Sequence, residues 1–356
     1  MSRFVHLHLH SEYSLLDGAC RVRDIPLAAK AAGHTAVALT DHGVLYGAVA
    51  FYRACKEAGI KPIVGCEVYV AERSRFSKEG RADASGNHLI LLVENEKGYR
   101  NLIYLVSKSF TEGFYSKPRI DLELLRARHE GLIALSACMA GAVPRAILSG
   151  DMEGAVRIAR ELNAIFGAGN FYLELQDHRL QDDQMICRGL RTVSERTGIP
   201  LVATNDVHYL RRADAEMQQL LLCIQTGRTV AEGRPIGFET DEFYYKSTEE
   251  MERLFPELPD ALENTAAIAD RCNFDFTFGK YTLPSFPETD GIPHGEALRN
   301  LAFRGLDERA SRGEIDFSVH PKDEYLSRIG YELSVIDKMA TGADKYDNII
   351  WLSLNK

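Results

Sequence analysis

The chain has 356 residues, of which 45% are hydrophobic and 26% charged, an ordinary composition for a globular protein of one large domain or two. Its formal net charge of −9 argues against polyanion binding by the whole surface, although a local basic path or bound metal ions would still attract phosphates. The chain lacks an apolar run of the roughly 18–20 residues that span a membrane. It also lacks a signal-peptide pattern, and its seven scattered cysteines form no CxxC pair, so we expect a cytoplasmic protein without disulfides or membrane contact.

The first predicted strand, Phe4–His10, carries three histidines at alternating positions. Because side chains alternate between the faces of a strand, His6, His8 and His10 point the same way. Asp17 follows in the next loop. Imidazoles followed by a carboxylate form a nitrogen and oxygen ligand set typical of zinc, manganese or iron. The alternative interpretation is a polar strand face that contacts only solvent.

Apolar strand-like runs then alternate with amphipathic helical stretches. Further strands are predicted at Ala36–Thr40, Ile60–Val70, His88–Val93, Leu132–Ser136, Phe171–Gln176 and Leu201–Thr204. Helices are predicted at Ile25–Ala32, with Asp24 as its capping residue, and near Ala48–Ala58, Glu96–Ser109, 141–148, 151–166 and 182–197. About seven strand–helix units predict an α/β fold with a parallel sheet, and this number suits a closed barrel.

Metal-capable side chains recur where the predicted strands end, at His8, His10, Asp41, His42, Cys138, Asp206 and His208. The chemistry of α/β barrels gathers at the carboxyl ends of the strands, so these residues are expected to converge. His88 fits less well, because it begins its predicted strand. Glu67 lies within the apolar strand IVGCEVYV and needs a strong partner, such as a metal, if it faces inward.

The proposed ligand set has nine members: His8, His10, Asp17, His42, Glu67, His88, Cys138, Asp206 and His208. Nine ligands exceed the need of one ion, so they imply two or three divalent ions that share a bridging carboxylate. Zinc or manganese suits this set best, and iron is a further option. Asp17 has an alternative role as a turn residue and Cys138 as an ordinary buried thiol. We assign His6 a structural role and expect the remaining histidines to be surface or loop residues: His34, His129, His178, His294 and His320.

The polar stretch Glu72–Asn87 contains four basic residues, Arg73, Arg75, Lys78 and Arg81. One interpretation is a solvated loop, and the other is a mobile arm beside the site that contacts the phosphates of a nucleic acid.

The character of the chain changes near residue 276. A proline-containing linker precedes predicted helices at Glu296–Ala310 and Asp323–Met339, and the tail Ala340–Lys356 is polar and irregular. We therefore divide the chain into a domain over 1–275 and a shorter region over 276–356.

Six blocks in this order resemble the motifs of PHP (polymerase and histidinol phosphatase) domains: HLHLHSEYSLLDG (6–18), LTDHGVLYG (39–47), GIKPIVGCEVYV (59–70), NHLILLVEN (87–95), LSACMAG (135–141) and ATNDVHYL (203–210). GYRNLIYLVSKSF (98–110), LENTAAIADRCNF (262–274) and YTLPSFP (281–287) are similar to the PHP region of bacterial replicative DNA polymerases. The resemblance extends from about Arg3 to about Lys338.

The resemblance implies a distorted (β/α)7 barrel with a trinuclear metal site. His8, His10, Glu67 and Asp206 would hold one ion, and Glu67 would bridge to a second ion held by His88 and Cys138. Asp17, His42 and His208 would hold the third. Asp17 and Cys138 stand where the phosphatase branch usually has histidines, yet both are competent ligands. Because no ligand position is lost, the resemblance favours an active site over an inert domain.

The implied activity is hydrolysis of a phosphodiester by a water that the ions activate, with Glu67, Asp206 and His208 in catalytic roles. In a polymerase the substrate would be the 3′ end of a DNA primer, which makes the activity a 3′–5′ proofreading exonuclease. The expected partners are primer-template DNA and other replicase subunits. Residues 340–356 do not resemble the start of a polymerase palm, so we expect a truncated polymerase subunit without a polymerase active site. The alternatives are a phosphomonoesterase like histidinol phosphatase and a non-catalytic scaffold for the polymerase and its proofreading partner.

Overall fold

The computed structural model of the chain describes residues 3–232, 238–279 and 291–339. The chain divides into two compact units, 1–276 and 277–356. The described elements of the first unit are α1 (Ile25–Ala31), β1 (Ala36–Leu39), α2 (Ala48–Ala58), β2 (Lys61–Val70), α3 (Gly80–Ala84), β3 (Asn87–Val93), α4 (Glu96–Thr111), β4 (Arg119–Ile120), α5 (Leu122–Arg128), β5 (Leu132–Leu135), α6 (Ala142–Leu148), α7 (Met152–Phe166), β6 (Phe171–Leu175), α8 (Asp183–Thr197), β7 (Leu201–Ala203), α9 (Ala215–Thr226), α10 (Thr248–Leu254) and α11 (Pro259–Arg271). Those of the second unit are α12 (His294–Ser311) and α13 (Lys322–Met339).

The strands form one sheet in the order β1-β2-β3-β5-β6-β7, with β4 paired to β2. The pairs β1–β2, β5–β6 and β6–β7 are parallel, as predicted, but β3 is antiparallel to both β2 and β5. The expectation of an all-parallel sheet is therefore wrong at β3. The connection from β2 to β3 contains only the five-residue helix α3, and the last residue of β2, Val70, pairs with the first residue of β3, Asn87. The chain therefore reverses its direction, and β3 lies antiparallel beside β2.

The first predicted strand is not a regular strand in the structure. Residues 4–10 are extended and lie between β1 and the chain that follows β7. The amide of Ala38 donates to the carbonyl of His6 at 2.9 Å, and that of His10 donates to the carbonyl of Val207 at 2.8 Å. The segment thus bridges the two ends of the curled sheet, and the predicted distorted barrel is confirmed.

The sheet is buried on both faces, as β3 illustrates. Leu89, Leu91 and Val93 pack in one apolar cluster with the surrounding helices, whereas Ile90 and Leu92 pack in a second cluster inside the barrel. A strand that is covered on both sides reads as a continuous apolar run, which is how NHLILLV appears in the sequence.

Most predicted helices have the expected bounds, but one predicted cap is wrong and several helices were not predicted. The Asp24 side chain makes no capping hydrogen bond at the start of α1, so its predicted role is wrong. The loop Glu72–Asn87 contains the short helix α3, and α5, α9, α10 and α11 were not predicted. Within the second unit, Ala297 and Leu298 of α12 pack against Leu333 of α13. The tail predicted to be irregular, 340–356, lies outside the described residues, as does the linker segment 280–290.

All seven cysteines are free thiols, as expected. Among the described residues, no helix is long and apolar enough to cross a membrane.

The histidines at 34 and 178 lie in loops, as expected, but both are buried, so they are not surface residues. His34 Nδ1 lies 2.8 Å from the hydroxyl of Tyr245, and its Nε2 lies 3.2 Å from Oγ1 of Thr248. His178 stacks on Phe243 with a ring separation of 3.9 Å. Partners more than 60 residues away in the sequence bury both rings, and a local pattern does not show them.

Burial predicts an acid-sensitive contribution of His34 to stability. Burial lowers the pKa of His34 to about 4, whereas an unfolded histidine titrates near 6.5. The contribution of the neutral ring is therefore present above pH 6.5 and is lost as the pH falls towards 4. Between pH 7 and pH 4.5, wild type should lose about 2 kcal/mol more unfolding free energy than His34→Gln. Urea unfolding at both pH values measures this, with the exposed His320→Gln as control. Equal losses in wild type and His34→Gln would contradict it.

Candidate metal centre

The structure brings all nine predicted ligands to one edge of the sheet. His8 and His10 come from the extended segment 4–10, and Asp17 comes from the loop after it. Glu67 lies within β2 and His88 is the second residue of β3, whereas the others follow strands β1, β5 and β7: His42, Cys138, Asp206 and His208. His88 joins them because β3 is antiparallel, so the start of β3 lies beside the carboxyl end of β2, with His88 opposite Tyr69. The reversed strand explains the one position that did not fit a parallel sheet.

Glu67 lies at the middle of the cluster and is fully buried. Its Oε1 is 2.8 Å from Nδ1 of His88 and 3.5 Å from Nε2 of His8. Its Oε2 is 2.5 Å from Nδ1 of His42 and 3.7 Å from Nε2 of His10. One carboxylate therefore faces four imidazoles.

Two further groups complete the cluster on either side of Glu67. Oδ1 of Asp206 lies 3.0 Å from Nε2 of His8 and 3.2 Å from Nε2 of His10. The Asp17 carboxylate lies 3.0 Å from Nε2 of His42 and 3.6 Å from Nε2 of His208.

The thiol of Cys138 lies on the side of His88, with Sγ 3.5 Å from Nδ1 of His88 and 3.9 Å from Oε1 of Glu67. His6 is the histidine of the first segment that is not among the predicted ligands. Its Nε2 is 2.8 Å from the carbonyl of Lys246, which is the structural position we assigned to it.

The backbone around the ligands adopts an uncommon conformation. Asp206 has a φ of 43°, and Ala137, which precedes Cys138, has a φ of 62°. Such left-handed conformations are strained for residues with a Cβ and are concentrated at functional sites. Gly18 follows Asp17 in a tight approach, where a Cβ would come within 2.2 Å of the carbonyl oxygen of Ser11. Only glycine fits this position, so the loop that presents Asp17 depends on it.

The charges of the cluster compensate one another. Burial alone would raise the pKa of Glu67, but His88 and His42 hold it well below its usual value. Burial likewise opposes the ionisation of Asp206, yet His8 and His208 hold its pKa well below the ordinary range. The carboxylates are therefore ionised, which is the form that binds cations.

The histidines divide into protonated and neutral rings when no ion is bound. Burial opposes the protonation of His42, but Glu67 and Asp17 outweigh it and raise the pKa to about 10. Burial and the neighbouring rings of His42 and His208 lower the pKa of His10 to about 3. His10 thus already has the neutral form that a metal requires, whereas His42 must release a proton when an ion binds.

Two buried polar atoms of the cluster, Asp17 Oδ1 and His208 Nε2, have no hydrogen-bond partner among the described residues and lie 3.6 Å apart. Leaving such atoms unsatisfied costs roughly 1–3 kcal/mol each. Glu67 Oε2 and Asp206 Oδ1 form ion pairs with the histidines but no well-aligned hydrogen bond. Three subsets place their ligand atoms within 4.8 Å of one another: His8 with His10 and Asp206, His42 with Glu67 and His88, and His10 with His42 and His208. The donor set and its orphaned atoms fit more than one divalent ion.

A second layer of side chains holds the ligands in place. Nδ1 of His8 donates to Oε1 of Glu174 at 2.7 Å, and Nδ1 of His10 lies 3.0 Å from Oγ of Ser14. Ser14 in turn donates to Asp41 at 2.8 Å. Each ring is thereby fixed with Nε2 towards the cluster, the arrangement that metal-binding histidines usually show.

The residues Glu174 and Ser14 were missed in the sequence. Glu174 stands in the buried strand FYLEL, so the argument that identified Glu67, a carboxylate within an apolar run, applied to it as well. Asp41 was noted at a strand end, but its role is to bind Ser11 and Ser14. Nothing in the spacing of Ser14 distinguishes it from an ordinary loop serine.

The cavity that opens onto the cluster has an apolar wall formed by Met139, Leu180, Ile186, Phe238 and Phe243. Phe238 contacts the ring of His208 edge-on, with a centroid separation of 4.9 Å. Among the described residues, no lysine or arginine lines this cavity.

The placement of the basic loop argues against two of its four predicted phosphate contacts. Arg75 is buried and pairs with Glu112 at 2.7 Å and with Asp121 at 3.1 Å. Arg73 pairs with Asp83 at 2.5 Å and with Glu79 at 3.0 Å. A phosphate would have to displace these carboxylates. Lys78 is exposed, so its predicted role stands as a prediction, and the side chain of Arg81 lies outside what the structure describes.

The chain is similar to known proteins over most of its length. Residues 6–178 match the family model described as PHP domain. The chain is 44% identical over 337 residues to DNA polymerase III subunit alpha of Treponema pallidum, with 94% of this chain and 28% of that protein covered. It is 44% identical over 353 residues to the same subunit of Borreliella burgdorferi, with 98% and 30% covered. Identity to the Thermus aquaticus subunit is 40% over 314 residues, with 85% and 26% covered. The chain spans between a quarter and a third of the length of these relatives.

Similarity to solved structures is weaker. An amidohydrolase from Chromobacterium violaceum with bound sulfate and no metal is 17% identical, with 57% of this chain and 87% of that chain covered and a TM-score of 0.37. This likeness is too low to bear on the site.

The contact between His8 and Glu174 predicts that Glu174→Gln weakens metal binding without removing a ligand. A carboxamide still accepts the N–H of His8 but carries no charge, so the ring is a poorer donor. We expect affinity for Zn²⁺ or Mn²⁺ to fall roughly 10- to 100-fold. Competition with a chelator measures the metal affinity. Glu153→Gln is the control, because Glu153 lies on the exposed side of α7 and pairs with Arg196 at the surface. An unchanged affinity would show that Glu174 does not support His8.

Proposed function

Because this chain carries a PHP domain and is homologous to the alpha subunits of DNA polymerase III, we propose that it is part of a replicative DNA polymerase whose PHP domain is a metal-dependent phosphoesterase. The observation that carries the enzymatic proposal is the convergence of eight ligand-type side chains around a ninth, the buried carboxylate of Glu67. Two of their buried polar atoms, Asp17 Oδ1 and His208 Nε2, have no hydrogen-bond partner among the described residues, which suits a centre built for cations.

The ligands divide into three sets around Glu67. His8, His10 and Asp206 would hold one ion together with Glu67, and His88 and Cys138 would hold a second ion on the other side of it. Asp17, His42 and His208 would hold a third. Divalent ions in these sets, zinc or manganese by the donor types and iron as a further option, would supply the Lewis acidity that phosphoester hydrolysis needs.

The side chains of this chain have their own tasks in that reaction. Glu174 and Ser14 orient the rings of His8 and His10. The apolar wall of Leu180, Phe238 and Phe243 excludes water from one side of the cavity. We assign catalytic roles to Glu67, which is buried at the centre of the cluster, and to Asp206 and His208, which line the cavity.

We propose further that the substrate is a phosphodiester of DNA, cleaved from the 3′ end of a primer. The names of the relatives support this, since a replicative polymerase gains accuracy from a 3′–5′ exonuclease. DNA and other subunits of a replicase are then its partners.

The test combines elemental analysis with degradation of a 5′-labelled primer. Protein purified without chelator should contain two or three transition-metal ions per chain and shorten the primer from its 3′ end. Fewer than one ion would contradict the metal centre. Release of phosphate from histidinol phosphate with an intact primer would favour a phosphomonoesterase, and full metal content without either activity would favour a scaffold.

Asp206→Asn should abolish this hydrolysis while the protein stays folded. A carboxamide retains the shape of the side chain but is a much weaker ligand, and Asp206 Oδ1 contacts both His8 and His10. Circular dichroism checks folding and the labelled primer checks activity. His129→Gln is the control, because the ring of His129 contacts the carbonyl of Arg126 and, edge-on, the ring of Phe166 and lies apart from the cluster. A wild-type rate in Asp206→Asn would remove Asp206 from the ligand set.

A further inference from the structure

A second cavity meets the metal centre at His88. Its lining includes Asn87, His88 and Arg145, whereas the first cavity is lined by His88 together with five other cluster residues: Asp17, His42, Cys138, Asp206 and His208. Arg145 is the one arginine or lysine among the described residues that line either cavity.

Arg145 is held in place by the same residues that hold His88. Its backbone amide donates to the carbonyl of Gly141 at 3.0 Å, and Gly141 forms a bridge with His88. The amide of His88 donates to the carbonyl of Ala140 at 3.0 Å. The side chain also reaches back, since Nη1 donates to Oδ1 of Asn87 at 2.9 Å. The guanidinium is thus fixed beside the residue that precedes a ligand.

The guanidinium of Arg145 forms no ion pair with any described carboxylate, although three acidic residues line the same cavity. Asp151 caps helix α7 by accepting from the amide of Gly154, and Glu161 pairs with Arg126. Glu72 is exposed. Four N–H groups of a half-buried guanidinium remain for a ligand, in contrast to Arg73 and Arg75, whose donors are occupied by carboxylates.

We propose that Arg145 binds the phosphate next to the one that is cleaved, so that the site recognises a polynucleotide backbone rather than a single phosphoester. A guanidinium matches the geometry of a phosphate and binds it in a bidentate manner. The inference rests on the proposed function for the identity of the substrate. It assigns to α6 the phosphate contact for which the basic loop was predicted.

The test compares two substrates that differ in their number of phosphates. For Arg145→Gln we expect the KM of a short oligothymidylate to rise roughly 10- to 100-fold with kcat little changed, since a charge-assisted hydrogen bond is lost. The p-nitrophenyl ester of thymidine 5′-monophosphate has a single phosphate, so its kcat/KM should stay within about twofold. Arg145→Lys should restore part of the oligonucleotide affinity but not all of it, because lysine cannot bind in the bidentate manner.

Binding without turnover gives an independent readout. Fluorescence anisotropy of a labelled oligothymidylate, measured over a range of salt concentrations, should show weaker binding by Arg145→Gln and a salt slope reduced by about 0.7 for this single-stranded ligand. Arg157→Gln removes an exposed arginine that lines neither cavity and should bind like wild type.

The outcomes separate this inference from the proposed function. Equal losses on both substrates would give Arg145 a structural role, and unchanged oligonucleotide binding would exclude it from the substrate path; either result overturns the inference. If wild type binds the oligonucleotide through Arg145 but hydrolyses neither substrate, the inference stands and the proposed enzymatic function is wrong.

Discussion

The contact between the Glu67 carboxylate and the imidazoles around it is the constraint on which the first unit depends. Glu67 is buried in a strand whose neighbours are apolar, and an unpaired buried carboxylate costs several kcal/mol. His42 and His88 meet its two oxygens, and His8 and His10 approach from the extended segment. Three separate parts of the chain are therefore tied to one side chain. Of these histidines, His8, His10 and His88 are the ones that would share an ion with the carboxylate.

Much of this centre could be predicted because it obeys local rules. The spacing of His8 and His10 places both on one face, and Glu67 is conspicuous as a carboxylate within an apolar run. Glu174 is also a carboxylate within an apolar run, and it was overlooked. The sequence contained enough information to identify it. The apolar runs also predicted most strand bounds, since strands covered on both faces need no alternation.

The remaining features depend on distant parts of the chain. The sequence NHLILLV is equally compatible with either direction of β3, and only its pairing with β2 and β5 determines that it is reversed. Arg75 was predicted as a loop arginine, yet the carboxylates of Glu112, which follows α4, and Asp121, which precedes α5, neutralise it. His34 is buried by Tyr245 and Thr248, more than 200 residues later. Composition and periodicity contain no information on such partners.

The reversal of β3 also determines what surrounds the metal centre. In a wholly parallel sheet, the residue that begins a strand lies at the opposite edge from the ligands. Because β3 is antiparallel, its first residues face the cluster, and the bridge from His88 to Gly141 brings the start of α6 to the same place. The centre consequently has two unlike sides, an apolar wall with Phe238 and Phe243 and a polar side with Arg145. A phosphomonoester would need only the ions, whereas a polymer end has an apolar base and a further phosphate to place. The two sides therefore match the proposed substrate better than they match a small phosphate ester.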